Sequence, residues 1–202
     1  MPRPKERTPE LRDHVLRTAV AMLAAEGVAG FTARRVAEGA ATSVPAVYEL
    51  FGDKAGLVRE VFFEGFRQLG RTFGEVPRTD DPRTDLVRTI GAFRLFVRAN
   101  PELAQVMFSR PFADFDPGPD ELRGSASVRG HLVGQVRRCV GVGLIAGDET
   151  DVAHVLLALA QGLCAQETAG WLGSTRASMD RRWALALRAT LDGLAPRCHP
   201  EP

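Results

Sequence analysis

Apolar residues recur every three or four positions along almost the whole chain, and no stretch alternates with a period of two. In "LRDHVLRTAVAMLAAEG" the residues Leu11, Val15, Ala19, Val20, Met22 and Leu23 fall on one broad stripe, and Gly27 is placed to end the helix. "GLVREVFFEGFRQLG" puts Leu57, Val61, Phe62, Gly65, Phe66 and Leu69 on a second stripe. "DLVRTIGAFRLFVRANP" does the same with Leu86, Ile90, Phe93 and Val97 and stops at Asn100-Pro101. A short apolar helix follows in "ELAQVMFSR", and then "RPFADFDPGPDE", with three prolines and a glycine, reads as a loop. Three further segments, "SVRGHLVGQVRRCVGVGLIAG", "DETDVAHVLLALAQGLCAQETAGWLG" and "ASMDRRWALALRATLDGLAP", are each long enough for several helical turns. The pattern predicts an all-α chain of about nine helices with no internal repeat.

Between the first and second stripes lies "FTARRVAEGAATSVPAVYELFGDKAGL", residues 31–57, where two short amphipathic helices are joined by a few residues. Thr32 is placed to cap the first, with Val36, Ala37 and Ala40 on one side and Arg34, Arg35 and Glu38 on the other. Ser43 is placed to cap the second, in which Pro45 sits in the first turn, where its missing N–H has no intrahelical partner to lose. Val47, Leu50 and Phe51 then point inward, Pro45 and Glu49 outward, with Ala46 and Tyr48 flanking the outer face. The small residues Ala37, Ala40 and Ala41 allow a close crossing, so the pair is expected to be a helix-turn-helix whose second helix enters a DNA major groove. Asp53 caps the next helix and leaves Lys54 in its first turn, where a cation is disfavoured by the helix dipole. A phosphate at that end is favoured by the N–H groups and the lysine together, so DNA accounts for this charge better than stability does.

Composition narrows this without contradicting it. The 202 residues are 45% hydrophobic and 25% charged, as in an ordinary globular protein. Lys and Arg number 26 against 25 Asp and Glu, so a nucleic-acid signal must lie in the local placement of charge. "MPRPKERTPELRDH" has charges and prolines where an export signal has an apolar stretch, and no run approaches the roughly 18 apolar residues of a membrane span. "VLLALAQGLCA" is interrupted by Gln161. The expected location is the cytoplasm, with no membrane partner. Cys139, Cys164 and Cys198 are too few and scattered for a disulfide framework, and they are read as two core thiols and one in a tail. Neither cysteines nor histidines show metal-ligand spacing, and no metal or cofactor is expected.

The ordered set F-T, V-A, A-A-T-S, A-V-Y, F and K-x-x-L over about residues 9–60 resembles the N-terminal domain of TetR-type (tetracycline-repressor-like) transcriptional regulators. Two positions depart from the usual pattern: the turn glycine is Ala41, and the glycine opening the recognition helix is Pro45. The first bears on backbone strain, and the second changes the shape offered to the groove, so no operator sequence carries over. The resemblance implies a helix-turn-helix DNA-binding domain over 1–55, a helical effector-binding and dimerisation domain over 56–195, and a disordered tail over 196–202. In the second of these the match is weaker, resting on "ALAQGLCAQETAGWL" and a final amphipathic helix. It further implies phosphate contacts from Thr32, Tyr48 and Lys54, with Ser43, Val44, Pro45, Ala46 and Glu49 facing bases or backbone and Arg34 and Arg35 at the same interface. Val44 and Pro45 suit thymine methyls, and Glu49 suits cytosine N4, although a solvated surface charge describes Glu49 equally well. Arg3, Lys5 and Arg7 read either as a minor-groove arm or as a disordered basic tail.

Phe62, Phe66, Phe93, Phe96, Met107 and Phe108 concentrate on three consecutive helices, which fits a packed core or an apolar effector pocket with His131, Gln161 and Arg94 as polar anchors. A two-fold homodimer is expected through the last two long helices, with Val152, Leu156, Leu159 and Leu163 on one stripe and Trp183, Leu187, Thr190 and Leu194 on the other. The functional reading is a repressor released from a palindromic double-stranded DNA operator by a small apolar effector. The alternative is a helical interaction or ligand-binding protein that has lost DNA binding. An enzyme is disfavoured, since no nucleophile–base motif, phosphate loop or apolar carboxylate pair occurs.

Overall fold

Short polar side chains set where most helices of this chain begin. The Leu11 N–H donates to Thr8 Oγ1, Arg35 N–H to Thr32 Oγ1 and Ala46 N–H to Ser43 Oγ, each at 3.3 Å. Asp148 Oδ1 accepts from Thr150 and Asp151 N–H at 2.9 and 3.0 Å, and Thr175 forms a reciprocal box with Ser178. The computed structural model describes residues 8–109, 118–119, 123 and 125–196. Arg3, Lys5 and Arg7, the loop segment 110–117 and the tail residues 197–202 with Cys198 lie outside the described residues.

Among the described residues the chain is all-α, with nine helices and no strand. They are α1 (Pro9–Gly30), α2 (Ala33–Gly39), α3 (Val44–Phe51), α4 (Lys54–Gly74), α5 (Pro82–Ala99), α6 (Pro101–Ser109), α7 (Ala126–Gly141), α8 (Glu149–Thr168) and α9 (Arg176–Gly193). None of the described helices is long and apolar enough to cross a membrane. Gly27, with φ 68° and ψ −174°, breaks the helical path of α1 one turn before its end, as a left-handed glycine does. Packing divides the chain into two units, residues 1–68 with 100–125 and residues 69–99 with 126–202.

In the first unit α1 packs on α2 and α6, and α2 on α3. Val15, Leu23, Val36, Val47, Leu57 and Val106 are fully buried there. Each such side chain contributes about 1.5–3 kcal/mol by leaving water. In the second unit α5 packs on α7 and α8, α7 on α8, and α8 on α9. Phe93, Leu86 and Leu156 are buried in it, and so are Cys139 and Cys164, whose thiols burial pushes up, the latter to about 12.

Two polar networks cross the second unit. Asp85, fully buried, accepts from Thr79 N–H and Thr79 Oγ1 at 2.8 Å each and from Arg138 Nη1 at 2.8 Å. The Thr79 N–H outweighs burial and, with Arg138, holds this carboxyl down at about 2. Arg94 is the centre of the other network, bound to Glu167 and Asp180. Its guanidinium is therefore spent on the fold, which removes it as a pocket anchor.

The dimer stripes need a correction. Val152, Leu156, Trp183 and Leu187 are buried within the single chain, and Leu159, Leu163, Thr190 and Leu194 are half-buried. The solvent faces instead carry Val155, Ala158, Gly162 and Ala165 on α8, and Ala184, Leu185 and Arg188 on α9. Most of the circumference of α8 is apolar or small, so periodicity alone does not select the face that packs inward. His154 is likewise exposed, with Nδ1 2.8 Å from Thr150 O.

Candidate nucleic-acid interface

The second short helix, α3, is built to show one face. Val47 and Phe51 are buried, Leu50 is half-buried, and Pro45, Tyr48 and Glu49 are exposed, with Val44 and Ala46 half-buried beside them. Pro45 occupies the first turn, where the Ser43 cap already supplies the Ala46 N–H with an acceptor. Tyr48, the only tyrosine of the chain, is 40% exposed. The apolar half thus fixes the helix and the polar half is left to bind.

The turn before it is tight. Thr42 N–H donates to Ala37 O at 2.9 Å and Ala41 N–H to Glu38 O at 3.1 Å. Ala41 has φ 50°, so the residue standing where the family pattern has glycine does adopt the left-handed conformation.

The far end of α3 is fixed by close approach. A Cβ on Gly56 would lie 1.8 Å from the Phe51 carbonyl oxygen, so the first turn of α4 rests directly against the last residue of α3. Asp53 Oδ1 accepts from Gly56 N–H at 2.7 Å and caps α4. Lys54 stands half-buried in that first turn. The role of Gly56 escaped the sequence reading, because a clearance between two helices has no local signal.

Charge around the site is partly committed. Arg34 Nε lies 2.9 Å from Glu38 Oε1, and both are mostly exposed. Arg35 pairs with Glu26 and donates to Gly30 O at 3.3 Å. Thr32 is exposed and occupied as a cap. Arg12 was also missed: it pairs with Glu60 at 2.8 Å, and its guanidinium lies 5.2 Å from the Phe51 ring centroid, which pins α3 from the side of α1.

The candidate effector residues fall in both units. In the first, Phe62 and Phe66 have ring centroids 4.8 Å apart, and Phe66 and Phe108 5.8 Å. A Cβ on Gly65 would meet Met107 Sδ at 2.5 Å, so Met107 closes over the same turn of α4. In the second, Phe93 and Phe96 are buried, His131 packs on Phe73 at 5.3 Å, and Gln161 is half-buried. Burial lowers the His131 pKa, and its Nε2 lies 3.4 Å from Gln135 Nε2. Among the described residues no group of three or more His, Cys, Asp and Glu could hold a metal ion.

The geometry agrees with what the chain is similar to. Residues 15–61 match the family model described as bacterial regulatory proteins, tetR family, and residues 86–190 match the tetracyclin repressor-like C-terminal domain. None of the curated proteins matches the chain. A protein of unknown function from Rhodococcus sp. RHA1 has a TM-score of 0.80 at 23% identity, over 96% of this chain and 100% of that one. A TetR family transcription regulator from Marinobacter aquaeolei VT8 has a TM-score of 0.70 at 21% identity, over 96% and 100%. A substituted TetR from Acinetobacter baumannii AYE, in complex with minocycline, has a TM-score of 0.63 at 17% identity, over 89% and 93%. At these identities the likeness to solved structures speaks to the fold.

Proposed function

The chain belongs to the tetR family of bacterial regulatory proteins, and we propose that this DNA-binding regulator is a repressor released from its operator by a small apolar effector. The observation that carries the reading is the outer face of α3, exposed at Pro45, Tyr48 and Glu49 and bounded by the Ser43 cap and by Lys54 on α4. In this reading Thr32, Tyr48 and Lys54 take phosphates, which positions the helix, while Ser43, Val44, Pro45, Ala46 and Glu49 meet bases or backbone. Arg34, in an exposed pair worth little, exchanges Glu38 for a phosphate, and Arg35 reaches the backbone beside it.

The functional division we assign is DNA binding by residues 1–55, and effector binding and dimerisation by 56–195. One recognition helix reads too few base pairs for specificity, so a two-fold dimer through α8 and α9 presents two of them to a palindromic operator. The candidate effector contacts are Phe62, Phe66, Met107 and Phe108 within the first unit and, taken separately, Phe93, Phe96, His131 and Gln161 within the second. A small-molecule effector is supported by the relative bound to minocycline. The lever is α4, whose first turn carries Lys54 and whose third and fourth turns carry Phe62 and Phe66. An effector shifts DNA affinity only through unequal binding to two conformations, typically about 5- to 150-fold.

The test is selection of genomic fragments by the purified protein, followed by a gel shift with and without candidate effectors. Recovered fragments sharing a palindrome support the reading. Fragments with no common sequence, bound equally at every site, sink it.

A further inference from the structure

We infer that a cleft on the first unit, between α1 and α4, binds a small amphipathic monoanion, namely a carboxylate with an apolar body. The cleft measures about 540 Å³, within the usual range for small-ligand sites. Asp13, Leu16, Arg17 and Val20 recur at helical spacing along α1 and face it, with Glu64 and Arg67 opposite on α4. Leu16 and Val20 give the floor an apolar surface. Arg12, Arg17 and Arg67 stand around it with the carboxylates of Asp13 and Glu64, and Glu60, the partner of Arg12, brings the local charges level. A monoanion needs only the one arginine that no carboxylate holds among the described residues, whereas a doubly charged phosphate would bring a second negative charge beside Asp13 and Glu64.

The arginines are not equally available. Arg67 Nε lies 2.8 Å from Glu64 Oε2, and Arg12 Nη2 lies 2.8 Å from Glu60 Oε1. Arg17 is exposed and has no carboxylate partner among the described residues. It is the group that meets an incoming carboxylate, because a planar guanidinium binds one through two parallel hydrogen bonds without first breaking a pair. Arg12 lies at the same cleft and also covers the Phe51 ring at the end of α3. A carboxylate that draws Arg12 toward the cleft therefore loosens the recognition helix. That consequence rests on the DNA reading above; the binding itself does not.

The experiment is calorimetric titration of the full chain with sodium octanoate and, separately, with octylammonium chloride, on the wild type, Arg17→Ala and Val20→Trp. Octanoate is expected to bind with 1:1 stoichiometry and octylammonium at least tenfold more weakly. Arg17→Ala should weaken octanoate by roughly tenfold, the scale of one charge-assisted hydrogen bond. Val20→Trp should block it by filling the floor. Absence of octanoate binding, equal binding of the two ions, or an affinity unchanged in Arg17→Ala each overturns the site. A gel shift separates the two readings. Protein that binds octanoate through Arg17 but no DNA sinks the regulator reading and leaves the cleft standing. Protein that binds an operator and ignores octanoate does the reverse.

Discussion

Arg94 holds Glu167 with two nitrogen atoms, Nε to Oε2 at 2.7 Å and Nη2 to Oε1 at 3.0 Å. The same guanidinium reaches Asp180 Oδ1 at 2.7 Å and lies 5.0 Å from the Trp183 ring, whose Nε1–H donates to Glu167 Oε2 at 2.8 Å. One side chain of α5 thereby ties α8 to α9. Both ends of the principal pair are largely out of solvent, at 12% and 7% exposure. Removing one partner strands the other, so Arg94→Ala should cost about 3 kcal/mol. Arg34→Ala, which breaks a pair exposed at 82% and 62%, should cost under about 0.5 kcal/mol. Urea denaturation of the two variants checks the contrast, and equal losses would contradict it.

What could be read from the sequence was local. Thr32, Ser43 and Asp53 cap as expected, because a cap involves an N–H two or three residues away. The inward and outward faces of α3 followed from its period, and the family from the order of its motifs. Pairings between distant helices were not legible. Arg94 and Glu167 are 73 residues apart and Asp85 and Arg138 are 53 apart, and a list of charges does not say which of them meet. Asp85 is an acid in the first turn of α5, a position that no pattern in the sequence marks as interior, and it is fully buried. For α8 both faces were apolar enough to serve as core, and the stripe assigned to the partner is buried within the chain at Val152 and Leu156 and half-buried at Leu159 and Leu163.

Ala41 sits in the left-handed region at φ 50° and is exposed. A Cβ there is strained, and glycine relieves it at some cost in unfolded-state entropy. Ala41→Gly should stabilise the protein by up to about 1 kcal/mol, raising Tm by roughly 2–4 °C. A fall in Tm would show that the turn is not strained by alanine.

Asp85 makes acid stability predictable. Its pKa is about 2 in the fold, against an unperturbed value near 3.8. A lowered carboxylate stabilises above its unfolded pKa, and that contribution is lost as pH falls through the folded value. The window is therefore from about pH 4 down to about 2. Glu167, whose pKa is also lowered because Arg94 and Trp183 outweigh its burial, acts in the same direction. Asp85→Asn should melt well below the wild type at pH 7, and the gap should narrow across that window. Melting curves from pH 7 to 2 on both proteins decide it, and a constant gap would mean that the charge of Asp85 is not what counts.

Tyr48 and Lys54 occupy the positioning part of the proposed interface. Tyr48→Phe removes one hydroxyl and Lys54→Ala one phosphate charge, so both should weaken binding to all sequences without changing which is preferred. Lys54→Ala should also lower the slope of log K against log salt by about one unit. Gel shifts from low to physiological salt measure both effects. Full affinity with altered operator preference would reassign these residues to base readout.

The corrected surface of α8 and α9 changes which substitutions test the dimer. Leu187 is buried within the chain, so an arginine there strands a charge in the core and unfolds the protein whether or not it dimerises. Val155, on α8, is 51% exposed, and Leu185, on α9, is 55% exposed. Val155 lies on a face whose neighbours Ala158 and Gly162 are small, which lets a second copy approach closely, whereas Leu185 is flanked by Ala184 and by Arg181, Arg182 and Arg188. An arginine at Val155 remains solvated in a monomer but is desolvated without a partner in a dimer through this face. Val155→Arg should therefore keep its helical circular dichroism and Tm in the single chain, yet sediment as a monomer at micromolar concentration where the wild type should sediment as the proposed dimer. Its operator affinity should fall with the loss of the second recognition helix. A Val155→Arg protein that remains a dimer, with operator affinity intact, would move the two-fold contact off this face.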